Sequence, residues 1–137
     1  MSQLSEERQQ ALGERLDQMR ARHEWLLFQN FVLGLLPHDA YTDVRLSAVQ
    51  GDFGRDGVAV TPDGKKCFVA VSFDCSKGKI RHDAQRWTED PHREPVKVML
   101  FVTGDAPQNK TVSKWTAEIA RDFKLELRLY NLSLIHI

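Results

Sequence analysis

The first third of the chain shows two helical patterns of different polarity. In residues 5–22, apolar residues recur three and four positions apart among many charged ones, which predicts an amphipathic helix. The following stretch, EWLLFQNFVLGLL at 24–36, is apolar nearly all round and stops before Pro37, which predicts a helix packed in a core. We therefore expect an N-terminal amphipathic helix over residues 1–22 and a folded domain over 23–137.

The rest of the chain alternates between β-rich runs and one-sided helical patterns. VRLSAV predicts a short strand, and the turn signal PDG at 62–64 separates two β-rich runs, so residues 58–73 are expected to form a hairpin. Helices are expected over 77–87 and 111–123, before and after the buried strand VKVMLFVTG, and LELRLY predicts a last strand. The order α, β, β, β, α, β, α, β predicts a single-domain α/β fold, with a mixed central sheet flanked by helices and an extra N-terminal helix.

Composition and the absence of familiar motifs exclude several classes of function. Nineteen basic and nineteen acidic residues cancel, so no overall field attracts the chain to nucleic acid or to a membrane. No apolar run approaches the roughly 18 residues that a membrane helix needs. There is no Walker lysine loop, serine-hydrolase elbow or dinucleotide-binding glycine pattern, which removes those enzyme classes.

The cysteines and the C-terminal residues bear on the origin of the chain. Cys67 and Cys75 are too few for a disulfide framework, so a reducing cytoplasm is the expected location. The final stretch, LELRLYNLSLIHI, alternates in polarity to its end. This favours either a fragment of a longer protein or terminal residues that are not native.

Four short motifs occur in an order that points to a known superfamily. They are FQNFV at 28–32, GDFGRDG at 51–57, FVAVSFD at 68–74 and MLFVTG at 99–104. In order and spacing they resemble the restriction-endonuclease-like, or PD-(D/E)xK, superfamily, and most closely the Mrr-type N-terminal nuclease domains of bacterial restriction and defence proteins. The resemblance covers about 24–130. It implies a nuclease that hydrolyses phosphodiester bonds in DNA with Mg²⁺ or Mn²⁺ as cofactor.

The resemblance assigns the catalytic positions one by one. Asp56 matches the first carboxylate and is the expected catalytic and metal-binding residue; the alternative is a turn aspartate that caps local backbone amides. Where the pattern has an acid or glutamine and, two residues later, a lysine, this chain has Ala70 and Ser72. In some relatives a serine takes the lysine position and a lysine of the next helix substitutes for it. This makes Ser72 and Lys79 candidate catalytic residues.

Two further residues complete the candidate site. Asp74 shares a strand face with Ser72, since side chains alternate along a strand, and could supply a displaced carboxylate for the metal. Gln29 occupies the position of the helical glutamate of the pattern. Its amide carbonyl can support the site but brings no charge.

A basic segment on the predicted helix at 77–87 is the candidate nucleic-acid contact. Lys77, Arg81 and Arg86 could follow a phosphate backbone beside Trp87. The alternative is a solvated helix face with Trp87 in the core.

Two functions remain open at this point. The first is a metal-dependent nuclease with a degenerate or rebuilt site. The second is a catalytically inactive nuclease-like module for nucleic-acid binding or oligomeric assembly, in which the N-terminal helix joins two copies of the chain.

Overall fold

The computed structural model describes residues 10, 11, 13–15, 25–51, 54–73, 75–104 and 108–132. Its three long helices are α1 (Trp25–Leu35), α2 (Lys77–Glu89) and α3 (Asn109–Phe123), and a short 3-10 helix spans Leu36–Asp39. The strands are β1 (Thr42–Gly51), β2 (Gly54–Val60), β3 (Lys66–Ser72), β4 (Val98–Thr103) and β5 (Glu126–Asn131). The predicted α/β class and the predicted order of elements are confirmed.

The N-terminal helix predicted from the sequence falls mostly outside the described residues. Residues 10, 11 and 13–15 are helical and exposed, in agreement with that prediction. Within the part of the chain that the structure describes, no helix has the length and apolar character needed to cross a bilayer.

The five strands form one mixed sheet in the order β1-β2-β3-β4-β5. The strands β1, β2 and β3 pair antiparallel, whereas β4 is parallel to β3 and β5 is parallel to β4. Helix α2 joins β3 to β4, and α3 joins β4 to β5. Two parallel strands need such a crossover, because the chain must return to the other end of the sheet before the second strand begins. The prediction of a mixed sheet with flanking helices is therefore confirmed.

Both faces of the sheet are covered, which explains why β3 and β4 are apolar throughout. Phe28 and Val32 of α1 pack on one face, against a set of side chains that includes Val69 and Val71. Helices α2 and α3 pack on the opposite face, where Trp87 is buried. Side chains alternate along a strand, so a central strand with two covered faces needs apolar residues at successive positions.

The turn between β2 and β3 shows why the motif PDG forms a hairpin. The backbone N–H of Gly64 donates to the carbonyl of Thr61 at 2.9 Å, and Gly64 has a φ of +85°, in the left-handed region that favours glycine. The guanidinium of Arg128, on β5, donates to both carboxylate oxygens of Asp63 at 2.8 and 2.9 Å. The predicted hairpin is therefore confirmed.

Gly57, on β2, leaves no room for a side chain. A Cβ atom there would lie 2.7 Å from Cδ2 of Leu33 and 3.2 Å from Cβ of Val69. The tip of Leu33 can move, but Cβ of Val69 is fixed by its strand. We expect Gly57→Ala to lower the free energy of unfolding by about 1–3 kcal/mol, the usual cost of overpacking a core, measured by urea denaturation.

Gly34 provides the matched control for this substitution. It lies in α1 and a Cβ atom there would meet no atom within 4 Å. Gly34→Ala is expected to leave stability unchanged or to raise it by up to about 1 kcal/mol, since alanine favours a helix. A Gly57→Ala variant as stable as the wild type would contradict this view of α1 packed on β2.

Candidate functional site

Asp56 lies on β2, with its side chain on the sheet face that α2 covers. The register pairs Gly57 with Val69 and Val58 with Phe68, and one further step places Asp56 opposite Ala70. Val58 and Ala70 belong to the core layer beneath α2, so Asp56 shares their face. Since Ala70 ends at its methyl group, it supplies no polar partner, and the partners of the Asp56 carboxylate come from α2.

Helix α2 contributes three charged side chains from one of its sides. Arg86 donates through Nη2 to both oxygens of Asp56, at 3.0 and 3.1 Å, and through Nη1 to Oδ1 of Asp83 at 3.0 Å. Lys79 donates through Nζ to the same oxygen of Asp83 at 3.1 Å. Spacings of three and four residues bring these side chains together on a helix. We call Asp56, Lys79, Asp83 and Arg86 the charge network.

The two carboxylates of the charge network are buried, whereas Lys79 and Arg86 are partly exposed. Asp56 is 5% exposed and Asp83 is 1% exposed. The two carboxylates are balanced by one guanidinium and one ammonium group, which is the condition under which charges are tolerated in an interior. Burial raises the pKa of Asp56 to about 6, although the positive charges of Arg86 and Lys79 lower it.

The other predicted catalytic residues lie in different places. Ser72 is buried at the end of β3, where it pairs with Thr103 in the parallel register, and alternation along β3 places it on the same face as Ala70. Gln29 is buried on α1, the helix that packs on the opposite face of the sheet. Asp74, the second predicted metal ligand, lies outside the described residues.

The basic segment of α2 is divided between two sets of acidic partners. Arg86 belongs to the charge network. Arg81 donates to Asp122 of α3 at 2.7 Å, and the ammonium of Lys77 lies 3.7 Å from Glu118 of the same helix. Trp87 is buried and stacks on Phe68, so this tryptophan is a core residue. A role of Lys77, Arg81 and Arg86 in nucleic-acid binding stays a prediction.

Asp83 is the site residue that sequence reasoning missed. The sequence contains a signal for it, because Asp83 lies on the side of α2 that also carries Ile80, Ala84 and Trp87, all of which are buried. An acidic residue on an apolar helix face needs a cation beside it. The ion pair with Lys79 four residues earlier supplies one.

The charge network contains two carboxylates, whose oxygens are of the kind that Mg²⁺ and Mn²⁺ bind in proteins. Such ions take one or two carboxylates from a protein and keep several water molecules. Asp56 and Asp83 provide two carboxylates that are bridged by a single side chain, Arg86. In the described ranges, no three His, Cys, Asp or Glu side chains group together as a ready-made metal centre. The cations that these carboxylates hold are the guanidinium of Arg86 and the ammonium group of Lys79.

Comparison with known proteins adds no family assignment. A scan of protein-family models and searches of curated proteins and of solved structures found no match to this chain.

The burial of Asp56 predicts an unusual dependence of stability on pH. Its pKa is about 6 in the folded protein and 3.8 in a solvated reference. A carboxyl group with a raised pKa contributes stability that is fully present below about pH 4 and is lost as the pH rises through 6. Relative to Asp56→Asn, the wild type should lose on the order of 3 kcal/mol of unfolding free energy between pH 4 and 7, at 1.36 kcal/mol per pKa unit.

The measurement is urea denaturation of both proteins at intervals from pH 4 to pH 7. Asp122→Asn is the control, because the hydrogen bonds from Arg121 and Arg81 lower the pKa of exposed Asp122 to about 2. Asp122 is ionised in the folded protein over this range, and in the unfolded chain its pKa of 3.8 lies just below the range, so its substitution should give a difference that changes little with pH. An equally flat difference for Asp56→Asn would contradict the buried state of that carboxyl group.

Proposed function

We propose that this chain is a metal-dependent nuclease domain that hydrolyses phosphodiester bonds in DNA, in a bacterial restriction or defence system. One observation carries the proposal: Lys79 of α2 belongs to the same buried charge network as Asp56. The resemblance noted in the sequence implies this pair, an aspartate before the hairpin and a lysine that has moved from the strand to the next helix. The antiparallel ribbon β1-β2-β3, continued by the parallel strands β4 and β5, also supports it.

Each polar group of the site has a role in this proposal. Asp56 and Asp83 would hold the cation, with Asp74 as a further carboxylate. When bound, a divalent ion supplies positive charge beside the phosphoryl group and lowers the pKa of a water molecule. The ammonium group of Lys79 would stabilise negative charge on the phosphate, and the hydroxyl of Ser72 would donate a hydrogen bond there.

The substrate and the location follow from the same proposal. Lys77 and Arg81 lie on α2, the helix that carries the charge network, and their positive charges would guide a DNA backbone toward it. Gln29 lies on α1, which packs on the opposite face of the sheet, and has no part in the site as proposed. A nuclease of a bacterial defence system meets its DNA in the cytoplasm, which is the location that we propose.

A second candidate function is favoured by the ion pair at the centre of the network. Arg86 donates to both oxygens of Asp56, and the position opposite Asp56 is occupied by Ala70 instead of an acidic residue. A network that is neutral in itself needs no divalent ion. On this alternative, the chain is an inactive nuclease-like module that binds nucleic acid or joins two copies through the N-terminal helix.

Cleavage assays distinguish the two functions. Double-stranded DNA, single-stranded DNA and RNA would be incubated with the protein and Mg²⁺ or Mn²⁺. We expect cutting of DNA that falls at least about 100-fold in Asp56→Ala and in Lys79→Met, since each variant removes charge that acts in the transition state. Lys97→Met, at an exposed lysine before β4, is the control and should cut as the wild type does.

Circular dichroism of each variant would first be measured, so that only folded variants are compared in activity. Metal-dependent cutting that survives in both Asp56→Ala and Lys79→Met would overturn the nuclease proposal. A folded wild type that cuts none of the three substrates would favour the inactive module.

The inactive module makes its own prediction. Binding of labelled duplex DNA, followed by fluorescence anisotropy in EDTA, should weaken several-fold when Lys77 and Arg81 are both replaced by alanine, because two contacts to phosphate are lost. The same substitutions should reduce the dependence of affinity on salt. Equal binding by the wild type and the double variant would exclude this part of α2 as the contact surface.

A further inference from the structure

The solvent-facing side of α3 carries a row of basic residues. Lys110, Lys114, Arg121 and Lys124 are exposed, and the exposed Ala117 lies between them. Their spacings of four, three, four and three residues place all five on one line along the helix. We call these five residues the α3 stripe. It extends for about 21 Å, because an α-helix rises about 1.5 Å per residue.

The two acidic side chains of α3 face α2 and are already paired. Oε2 of Glu118 lies 3.7 Å from the ammonium group of Lys77 and 3.7 Å from the guanidinium of Arg81. Asp122 accepts a hydrogen bond from Arg81 at 2.7 Å and another from Arg121 at 2.8 Å. The acidic residues of α3 therefore neutralise the basic segment of α2 and, within the stripe, only Arg121.

The three lysines of the α3 stripe have no such counter-charge. In the part of the chain that the structure describes, Lys110, Lys114 and Lys124 form no ion pair. Helix stability does not account for the first two. Lys110 lies in the first turn, which contains no acidic residue and where the helix dipole opposes a positive charge, and Lys110 and Lys114 repel each other across one turn. An anionic partner would compensate this repulsion.

We propose that the α3 stripe binds the phosphate backbone of duplex DNA. This inference rests on the proposed function, because DNA is the substrate named there, and it adds α3 to the contact surface predicted on α2. Each strand of a duplex carries a negative charge about every 3.4 Å along the axis, so a straight row of cations can follow several successive phosphates. Such contacts hold a protein on DNA without reading its sequence.

The position of the aromatic residues favours a duplex over a single strand. Single strands are typically bound by stacking of their bases on aromatic rings beside a basic groove. The aromatic residues of α3 are Trp115 and Phe123, and both pack against the core layer that α2 and α3 cover. The α3 stripe itself contains cations and one alanine, which suit phosphates and offer no ring to an unpaired base.

The neighbours of the α3 stripe favour DNA over an anionic membrane. A helix that binds a membrane surface inserts an apolar face beside its basic residues. Ser113 and Ala120, which flank the stripe, are exposed and small, whereas the apolar Ile119 is buried in the domain. The stripe thus presents charge without an apolar side that could enter lipid.

The test is binding of a short labelled DNA duplex in EDTA, followed by fluorescence anisotropy at several salt concentrations. We expect the double variant Lys110→Gln, Lys114→Gln to bind at least about fivefold more weakly than the wild type. The slope of log affinity against log salt concentration should become shallower by about 2, since each lost phosphate contact removes about 0.9. Circular dichroism would verify that the variant is folded.

Lys66 and Lys97 provide the matched control. Both are exposed lysines, at the start of β3 and directly before β4, and they lie next to each other because the backbone N–H of Lys97 donates to the carbonyl of Lys66 at 3.1 Å. Lys66→Gln with Lys97→Gln changes the net charge by the same amount and should bind the duplex as the wild type does. An equal loss of affinity in the two double variants would show a general effect of net charge and would overturn the proposal.

A second variant tests the stripe without removing any lysine. Ala117→Glu places a negative charge in the middle of the α3 stripe and should lower the affinity for the duplex at least about tenfold, because the new carboxylate repels phosphate. Ala117→Gln adds a side chain of similar size without the charge and should change the affinity less than twofold. Equal affinities of these two variants would contradict the proposal.

The remaining outcomes also decide the question. Unchanged affinity and salt dependence in the Lys110→Gln, Lys114→Gln variant would overturn the proposal. Tighter binding of a single strand than of the duplex, lost in the same variant, would overturn the assignment of a duplex. Binding to vesicles of phosphatidylserine and phosphatidylcholine that needs the α3 stripe, with no binding of the duplex, would identify a membrane as the partner and overturn DNA.

Failure of the proposed function would look different. A wild type that binds the duplex through the α3 stripe but never cuts it would contradict the nuclease and retain the stripe. Metal-dependent cleavage by a wild type whose duplex affinity does not depend on Lys110 and Lys114 would contradict the stripe and retain the nuclease.

Discussion

The ion pair between Arg86 and Asp56 is the interaction on which the candidate site depends, because it joins α2 to β2 across an otherwise apolar layer. Buried carboxylates are tolerated only when cations accompany them, and removal of one partner from a buried pair typically costs about 3–5 kcal/mol. The stacking of Trp87 on Phe68, with ring centroids 4.5 Å apart, fixes α2 against β3 in the position that this ion pair needs. Apolar packing and charge pairing thus select the same placement of the helix.

The fold could be predicted because its signals are local. Strands with apolar residues at successive positions indicate a sheet covered on both faces, and the motif PDG at 62–64 marks the hairpin by its own backbone preferences. The site could be predicted only in part. Asp56 and Lys79 were candidates, but the sequence gives no sign that Arg86 pairs with a carboxylate 30 positions away. That contact depends on the rotation and height of α2 on the sheet, whereas Asp83 is signalled in the sequence by its position on the apolar side of the helix.

The nuclease and the inactive module differ physically in whether the charge network can open. In the nuclease Asp56 and Asp83 would hold a divalent ion, whereas in the inactive module they keep the guanidinium of Arg86 that bridges them. A closed network would stabilise the domain and leave binding to the exposed basic residues of α2. A network that opens would have to hold a divalent ion at Asp56 and Asp83, as the proposed hydrolysis requires.

The most direct measurement is anomalous diffraction from crystals of the protein grown with Mn²⁺ and a short DNA duplex. The account predicts an anomalous peak at the carboxylates of Asp56 and Asp83, beside a phosphate of the DNA. A structure in which DNA is bound and no Mn²⁺ lies at these carboxylates would contradict it.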